Sequence, residues 1–67
     1  MGRLNLKKFR IDLMLKSGQM AEKTGISRAH YSNIENGKRN PTYEYIEEFE
    51  KTFGVEESKV WGLFKKA

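Results

Sequence analysis

The stretch "GISRAHYSNIENGKRNPT", residues 25–42, decides how this chain is interpreted. Gly25 offers the positive φ at which helices commonly end, and Ser27 is a favourable N-cap for a new helix. From Ser27 the chain keeps a helical register as far as Asn36 and Gly37. The outward face of this predicted helix holds no acid and consists mostly of short polar side chains, with one arginine and one alanine: Arg28, Ala29, Ser32, Asn33 and Asn36. A face of this kind indicates a polar binding partner.

The composition excludes several classes of protein. The 67 residues suffice for one domain, over residues 1–67. The chain contains no cysteine, so it has no disulfide framework, and its one histidine, His30, cannot build a metal site alone. No apolar run approaches the roughly 18–20 residues of a membrane span. We therefore expect a soluble cytoplasmic protein without metal, cofactor or small-molecule ligand.

The net charge of +4 is unevenly distributed along the chain. Residues 1–40 carry nine Lys and Arg against three Asp and Glu, giving +6, whereas residues 41–67 carry four against six, giving −2. A basic N-terminal part and an acidic C-terminal part suit a polyanionic partner that approaches the protein from one side. The charge counts alone fit a solvated lysine-rich surface equally well.

Five helical segments and no strand fit the hydrophobic pattern, so the fold class is an all-α bundle. The segments are residues 5–15, 17–23, 27–36 and 42–53, followed by a last turn or two within 56–66. Gly54 stops the fourth segment, and Ser17 is the expected cap of the second. The inward positions are expected to be Leu6, Phe9, Arg10, Leu13 and Met14 in the first segment, Met20 and Ala21 in the second, Tyr31, Ile34 and Glu35 in the third, and Tyr45, Ile46, Phe49 and Phe53 in the fourth. The last segment carries Val60, Trp61 and Phe64 and has more apolar side chains than a short terminal helix needs for its own core.

The second and third segments form a predicted helix-turn-helix over residues 17–36. A three-residue turn, Gly25-Ile26-Ser27, holds two helices at a steep angle, so the second can project into the major groove of DNA. On its face, Arg28 suits guanine, Asn33 suits adenine, and Ala29 suits a thymine methyl group. The basic pair at residues 38–39 follows where a phosphate backbone would pass. Taken alone, "NGKR" also fits an ordinary polar turn between helices.

The stretch "MAEKTGISRAHYSNIENGKRNPT", with "LKKFR" before it and "GVEESKVW" after it, resembles the Xre/Cro family of helix-turn-helix regulators over residues 4–62. The resemblance implies a five-helix, lambda repressor-like domain that binds double-stranded DNA through a recognition helix over residues 28–36. It implies base contacts from Arg28, Ala29, Ser32 and Asn33. It implies contacts at or near the phosphates from Lys16, Ser17, His30, Asn36, Lys38 and Arg39. It also implies that a largely buried ion pair, Arg10 with Glu35, fixes the recognition helix to its scaffold.

The chain departs from the family pattern at the start of its second helix. Where the family has Ser or Thr and then Gln, this chain has Lys16 and Ser17, followed by Gly18. The bracing and phosphate-contacting amide of that Gln is therefore missing, and a glycine weakens the first turn. We expect this helix to fray at its start, with Lys16 keeping a phosphate contact.

Three functional interpretations follow from these residues. The first is a sequence-specific transcriptional regulator of phage or mobile-element type, a repressor associated with the bacterial nucleoid that binds inverted repeats as a homodimer. Its dimer surface would lie on the last helix, around Trp61 and Phe64, unless Trp61 only covers the bundle. The second is a protein-interaction module, such as an antitoxin or anti-repressor, that uses the same helix-turn-helix face. An enzyme is the least favoured, because the sequence pairs no nucleophile with a base.

Overall fold

The protein folds into five helices around an aromatic core, as seen in a computed structural model that describes residues 2–66. The helices run in chain order α1 (Leu4–Asp12), α2 (Ser17–Thr24), α3 (Arg28–Glu35), α4 (Tyr43–Phe53) and α5 (Glu57–Leu63). No strand occurs among the described residues, so the all-α prediction is confirmed. None of the helices within residues 2–66 is long and apolar enough to cross a membrane.

Phe49 lies at the centre of the core and is fully buried. Its ring centroid is 5.5 Å from that of Phe9, 4.9 Å from that of Phe53 and 5.0 Å from that of Phe64. These rings come from α1, α4 and the residue that follows α5, so one cluster ties the two ends of the chain to α4. Separations of 4.5–7 Å and tilted rings are the arrangement that aromatic quadrupoles favour.

The helix-turn-helix lies on one side of this core. Helix α3 packs on α2 and α1, whereas α5 packs on α1 and α4. Helix α2 is also joined to α4, where the hydroxyl oxygens of Thr24 and Tyr45 are 3.0 Å apart in a buried contact. Helix α3 therefore rests on two helices, and within residues 2–66 no helix packs on its opposite face.

Local signals at the ends of α3 and α4 explain why these helices match the predicted ranges. Ser27 is the N-cap of α3, and its hydroxyl accepts the His30 amide at 3.0 Å. Thr42 caps α4 in the same way by accepting the Tyr45 amide at 3.1 Å. Gly25 and Gly54 follow α2 and α4 with φ of 77° and 64°, a region that glycine enters without steric cost.

The end of α1 differs from the prediction. The helix ends at Asp12, not at residue 15, and both Leu13 and Met14 are exposed instead of facing the core. Met14 adopts φ of 60°, while the Leu15 amide returns to the carbonyl of Arg10. The apolar spacing therefore continues through Leu13 and Met14 although the helix has already ended. The backbone turns at Met14, a non-glycine residue for which the left-handed conformation costs free energy.

The start of α2 also differs from the prediction. Lys16, not Ser17, is the N-cap, and Ser17 is the first helical residue. The side-chain carbonyl of Gln19 accepts the Lys16 amide at 2.8 Å, which satisfies a backbone donor that the end of a helix otherwise leaves free. An amide side chain therefore bonds to this terminus, three residues after the N-cap and not at the position where the family has its Gln.

Phe64 was expected at an exposed dimer surface, and this expectation was wrong. Its side chain is 5% exposed and packs edge-to-face on Phe49 and Tyr45. Val60 is fully buried as well, and Leu63 is half-buried against the core. The last helix uses most of its apolar side chains to close the bundle, because a chain this short has few other residues for its core.

Candidate nucleic-acid interface

The side chains of α3 divide into a buried face and an open face. Tyr31 and Ile34 are fully buried, and Glu35 is nearly so. On the other side, Arg28 and Ala29 are exposed, as is Asn36, the C-cap residue that follows α3, while His30, Ser32 and Asn33 are partly exposed. Every residue of α3 that the sequence assigned to bases or phosphates therefore has access to the surface. This division follows from the helical period, which puts residues three and four apart on one face.

A buried ion pair fixes the inner face of α3 to α1. The Arg10 guanidinium donates to Glu35 from Nε at 2.8 Å and from a terminal nitrogen at 3.1 Å. Arg10 also donates to the Leu15 carbonyl at 2.8 Å, and the Tyr31 hydroxyl donates to Glu35 at 2.6 Å. Two forked bonds restrict rotation more than a single bond, so the pair sets the orientation of α3 as well as its position.

This network shifts the pKa values of its members. Burial opposes ionisation of Glu35, but the hydrogen bonds from Arg10 and Tyr31 outweigh it, so the pKa of Glu35 is lowered. The hydrogen bond to Glu35 raises the pKa of Arg10. Burial, and then the bond to Glu35, raises the pKa of the Tyr31 hydroxyl. Near neutral pH the carboxylate and guanidinium are therefore charged and the phenol is not.

The chain turns sharply after α3 and brings the basic pair back over the end of the helix. The carbonyl of Asn33 accepts the amides of Lys38 at 2.8 Å and Arg39 at 3.1 Å. Gly37 permits this turn with φ of 78°. Both basic side chains are exposed. The backbone amides of Lys38 and Arg39 are thus bonded to Asn33, which the sequence analysis predicts as a base contact.

An open groove of about 680 Å³ separates the start of α2 from the start of α3. It brings together two predicted phosphate contacts, Lys16 and Ser17, with one predicted base contact, Arg28. Gly18 and Gln19 complete its α2 side, and Glu22 is the only acid among the lining residues. Gly18 lies next to the Arg28 side chain, and the groove is lined by three basic residues and one acid.

Arg3 makes four side-chain hydrogen bonds that no pattern in the sequence predicts. Its side chain is 3% exposed and donates to the carbonyls of Phe64, Ile34 and Arg39 and to the side-chain oxygen of Asn40. Its partners are far away in sequence and are mostly backbone atoms, so no residue pattern marks them. Burial lowers the pKa of the Arg3 guanidinium.

A second missed feature is an exposed aromatic pair away from α3. Tyr43 at the start of α4 is 76% exposed, and Trp61 of α5 is 50% exposed. Their ring centroids are 6.0 Å apart with the rings edge-to-face. Of the two residues expected at a dimer surface, only Trp61 is therefore available there, and Tyr43 stands beside it.

The sequence model of the helix-turn-helix family matches residues 6–60, from the third residue of α1 through α2, α3 and α4 to the first part of α5. Neither the curated proteins nor the solved structures gave a match. The family match covers most of the chain. The chain belongs to the Xre/Cro family of helix-turn-helix proteins, which are DNA-binding transcription regulators.

Proposed function

We propose that this protein is a repressor of phage or mobile-element type that recognises a specific sequence of double-stranded DNA with α3 in the major groove. The observation that carries the proposal is the division of α3: its inner face is fixed by the forked Arg10–Glu35 pair, and its outer face is open and polar. A rigid support reduces the entropy lost when a helix enters a groove. A protein seated there also excludes other proteins from the same base pairs.

The proposed base contacts use the side chains near the start of α3. Arg28 can donate two bonds to the O6 and N7 atoms of guanine, and Asn33 can pair with the edge of adenine. Ala29 offers a methyl group to thymine, and Ser32 a hydroxyl group to either kind of edge. The exposure of Arg28 and Ala29 supports this assignment.

The proposed phosphate contacts lie on both sides of this helix. On the α2 side they are Lys16 and Ser17, at the groove that Arg28 also lines. On the other side they are His30, Asn36, Lys38 and Arg39. Contacts of this kind position a protein on DNA and dominate its salt dependence without specifying sequence.

We also propose that two copies bind an inverted repeat, with half-sites about 34 Å apart. The burial of Phe64 leaves Trp61 and Tyr43 as the exposed rings on this side of the molecule. Two rings are a small surface beside the roughly 800 Å² that each partner buries in a stable complex. The two copies are therefore proposed to associate only on the DNA, where the half-sites bring them together.

A pair of substitutions tests the assignment of bases and phosphates. A pool of random duplexes is first selected for binding, and the selected site is compared with unrelated DNA. Arg28→Ala should weaken binding to the selected site by about 1–3 kcal/mol and relax the preference at one base. Lys38→Ala should weaken binding to all duplexes alike and reduce the salt slope by about 1.

Two results would count against the proposal. Equal losses from Arg28→Ala on selected and unrelated DNA would reject base reading by α3. No binding to any duplex, together with tight binding to an acidic protein, would instead favour the interaction module.

A further inference from the structure

The segment before α1 connects three parts of the molecule that are distant in sequence. The Arg3 amide donates to the Glu35 carbonyl at 2.7 Å, and one of its guanidinium nitrogens donates to the carbonyl of Ile34. The same guanidinium donates to the Phe64 carbonyl at 2.7 Å. Arg3 thereby bonds to the last turn of α3 and to the residue that ends α5.

The remaining bonds of Arg3 reach the basic loop, residues 37–40. One nitrogen donates to the Arg39 carbonyl and another to the Asn40 side-chain oxygen, both at 3.0 Å. Among the described residues, Arg3 makes no ion pair with a carboxylate. Its charge is instead stabilised by oxygens at the carboxyl ends of two helices, where the helix dipole is negative.

Burying the Arg3 guanidinium in this way costs free energy that an apolar side chain at the same place would not cost. An arginine is rarely buried without a paired charge, and a buried donor that loses its acceptor is expensive. The guanidinium has five donors in one plane, so it can hold the end of α3 and the basic loop in one fixed relation. Lysine has a single nitrogen and cannot span these acceptors in the same geometry.

We propose that Arg3 is a positioning residue for DNA binding, which holds the basic loop so that Lys38 and Arg39 meet the phosphates without first losing conformational freedom. The inference rests on the proposed function, because it takes these two side chains as phosphate contacts. Arg3 is itself 3% exposed and touches no DNA in this assignment. It acts through the Arg39 backbone and the Asn40 side chain.

The test uses two variants and one matched control. Arg3→Lys keeps the charge and removes the fork. Asn40→Ala removes one of the two bonds from Arg3 to the loop, the bond to the Asn40 side-chain oxygen, at an exposed residue, and keeps the bond to the Arg39 carbonyl. The control is Asn5→Ala, because the Asn5 side chain is also exposed and donates to the Gly62 carbonyl at 3.1 Å without touching the loop. Circular dichroism establishes the temperature range in which all three proteins are folded.

Two measurements separate positioning from structural support. In free protein, amide hydrogen exchange at Lys38 and Arg39, whose amides bond to the Asn33 carbonyl, should accelerate in Arg3→Lys and Asn40→Ala and stay unchanged in Asn5→Ala. Binding to an unrelated duplex is then measured over a range of salt concentrations. Each lost phosphate contact should reduce the slope of log K against log salt by about 0.9. Lower stability alone would reduce the folded fraction and leave that slope as it is.

A cycle of substitutions connects the effect to the basic loop. Arg3→Lys should lower the slope in the wild-type background and have no further effect on it when Lys38 and Arg39 are both alanine. Faster exchange with an unchanged slope and affinity would overturn the inference and leave Arg3 a structural residue only. Failure of the wild-type protein to bind any duplex would reject the proposed function, and this inference with it, whatever the exchange data show.

Discussion

At the scale of single residues, the buried carboxylate of Glu35 connects the fold to pH. Its folded pKa is lowered by the bonds from Arg10 and Tyr31, against the effect of burial. Between the lowered folded pKa and the unfolded pKa of about 4.3, the unfolded chain binds more protons at Glu35 than the folded chain does. Glu35 therefore stabilises the fold fully at pH values above the unfolded pKa. That contribution is lost as the pH falls through the lower folded value.

Glu35→Gln should therefore lower the free energy of unfolding most near pH 7, where it leaves Arg10 buried without its charge partner. Removing one member of a buried pair costs about 3–5 kcal/mol, close to the whole margin of a domain this small. Urea unfolding in stabilising sulfate keeps the variant measurable. The difference from wild type should shrink below about pH 4, whereas the exposed Glu47→Gln should show no such trend. An equal difference at pH 7 and pH 3 would contradict this assignment.

At the scale of helices, α2 has one favourable and one unfavourable residue in its first turn. The Gln19 side chain satisfies the Lys16 amide, whereas Gly18 lacks the Cβ that favours a helix. A Cβ at Gly18 would lie 3.7 Å from Cδ of Arg28, an ordinary contact. Gly18→Ala should raise the free energy of unfolding by about 0.5–1 kcal/mol, and Gln19→Ala should lower it by a similar amount. Thermal unfolding of both variants checks the signs; a loss from Gly18→Ala would mean that Arg28 needs the open space.

The helix ends also show what could be predicted from the sequence. Helices α3 and α4 are marked by hydroxyl caps and glycines, which act within a few residues, so their ranges and the open face of α3 were predictable. The end of α1 was not, because its apolar spacing continues through Leu13 and Met14 while the turn depends on a methionine at positive φ. The Arg10–Glu35 contact was accessible only through the family resemblance. Arg3 was not predictable, since its acceptors are carbonyls that only the folded chain brings together.

At the scale of the whole molecule, the proposed DNA face and the exposed aromatic pair belong to different helices. Helix α3 packs on α1 and α2, whereas Tyr43 and Trp61 lie on α4 and α5. Residues 41–67 carry the acidic part of the chain, with four Lys and Arg against six Asp and Glu. Phosphate attraction therefore favours the approach of DNA to the basic part and leaves the aromatic pair free to meet a second copy.

This separation allows the contact between copies to be tested apart from the contact with DNA. Trp61→Ala should leave binding to one half-site unchanged and reduce the added stability of a second copy on an inverted repeat, by more than about 1 kcal/mol if the ring lies at the centre of the contact. Gel-shift titrations on one and two half-sites measure both quantities. Met14→Ala is the matched control, because Met14 is an apolar side chain that is 89% exposed on a different part of the chain. Because the contact is proposed to form only on DNA, sedimentation of the free protein should show monomers at the same concentrations. An equal loss on one and two half-sites would place Trp61 in the support of the fold instead of between the copies.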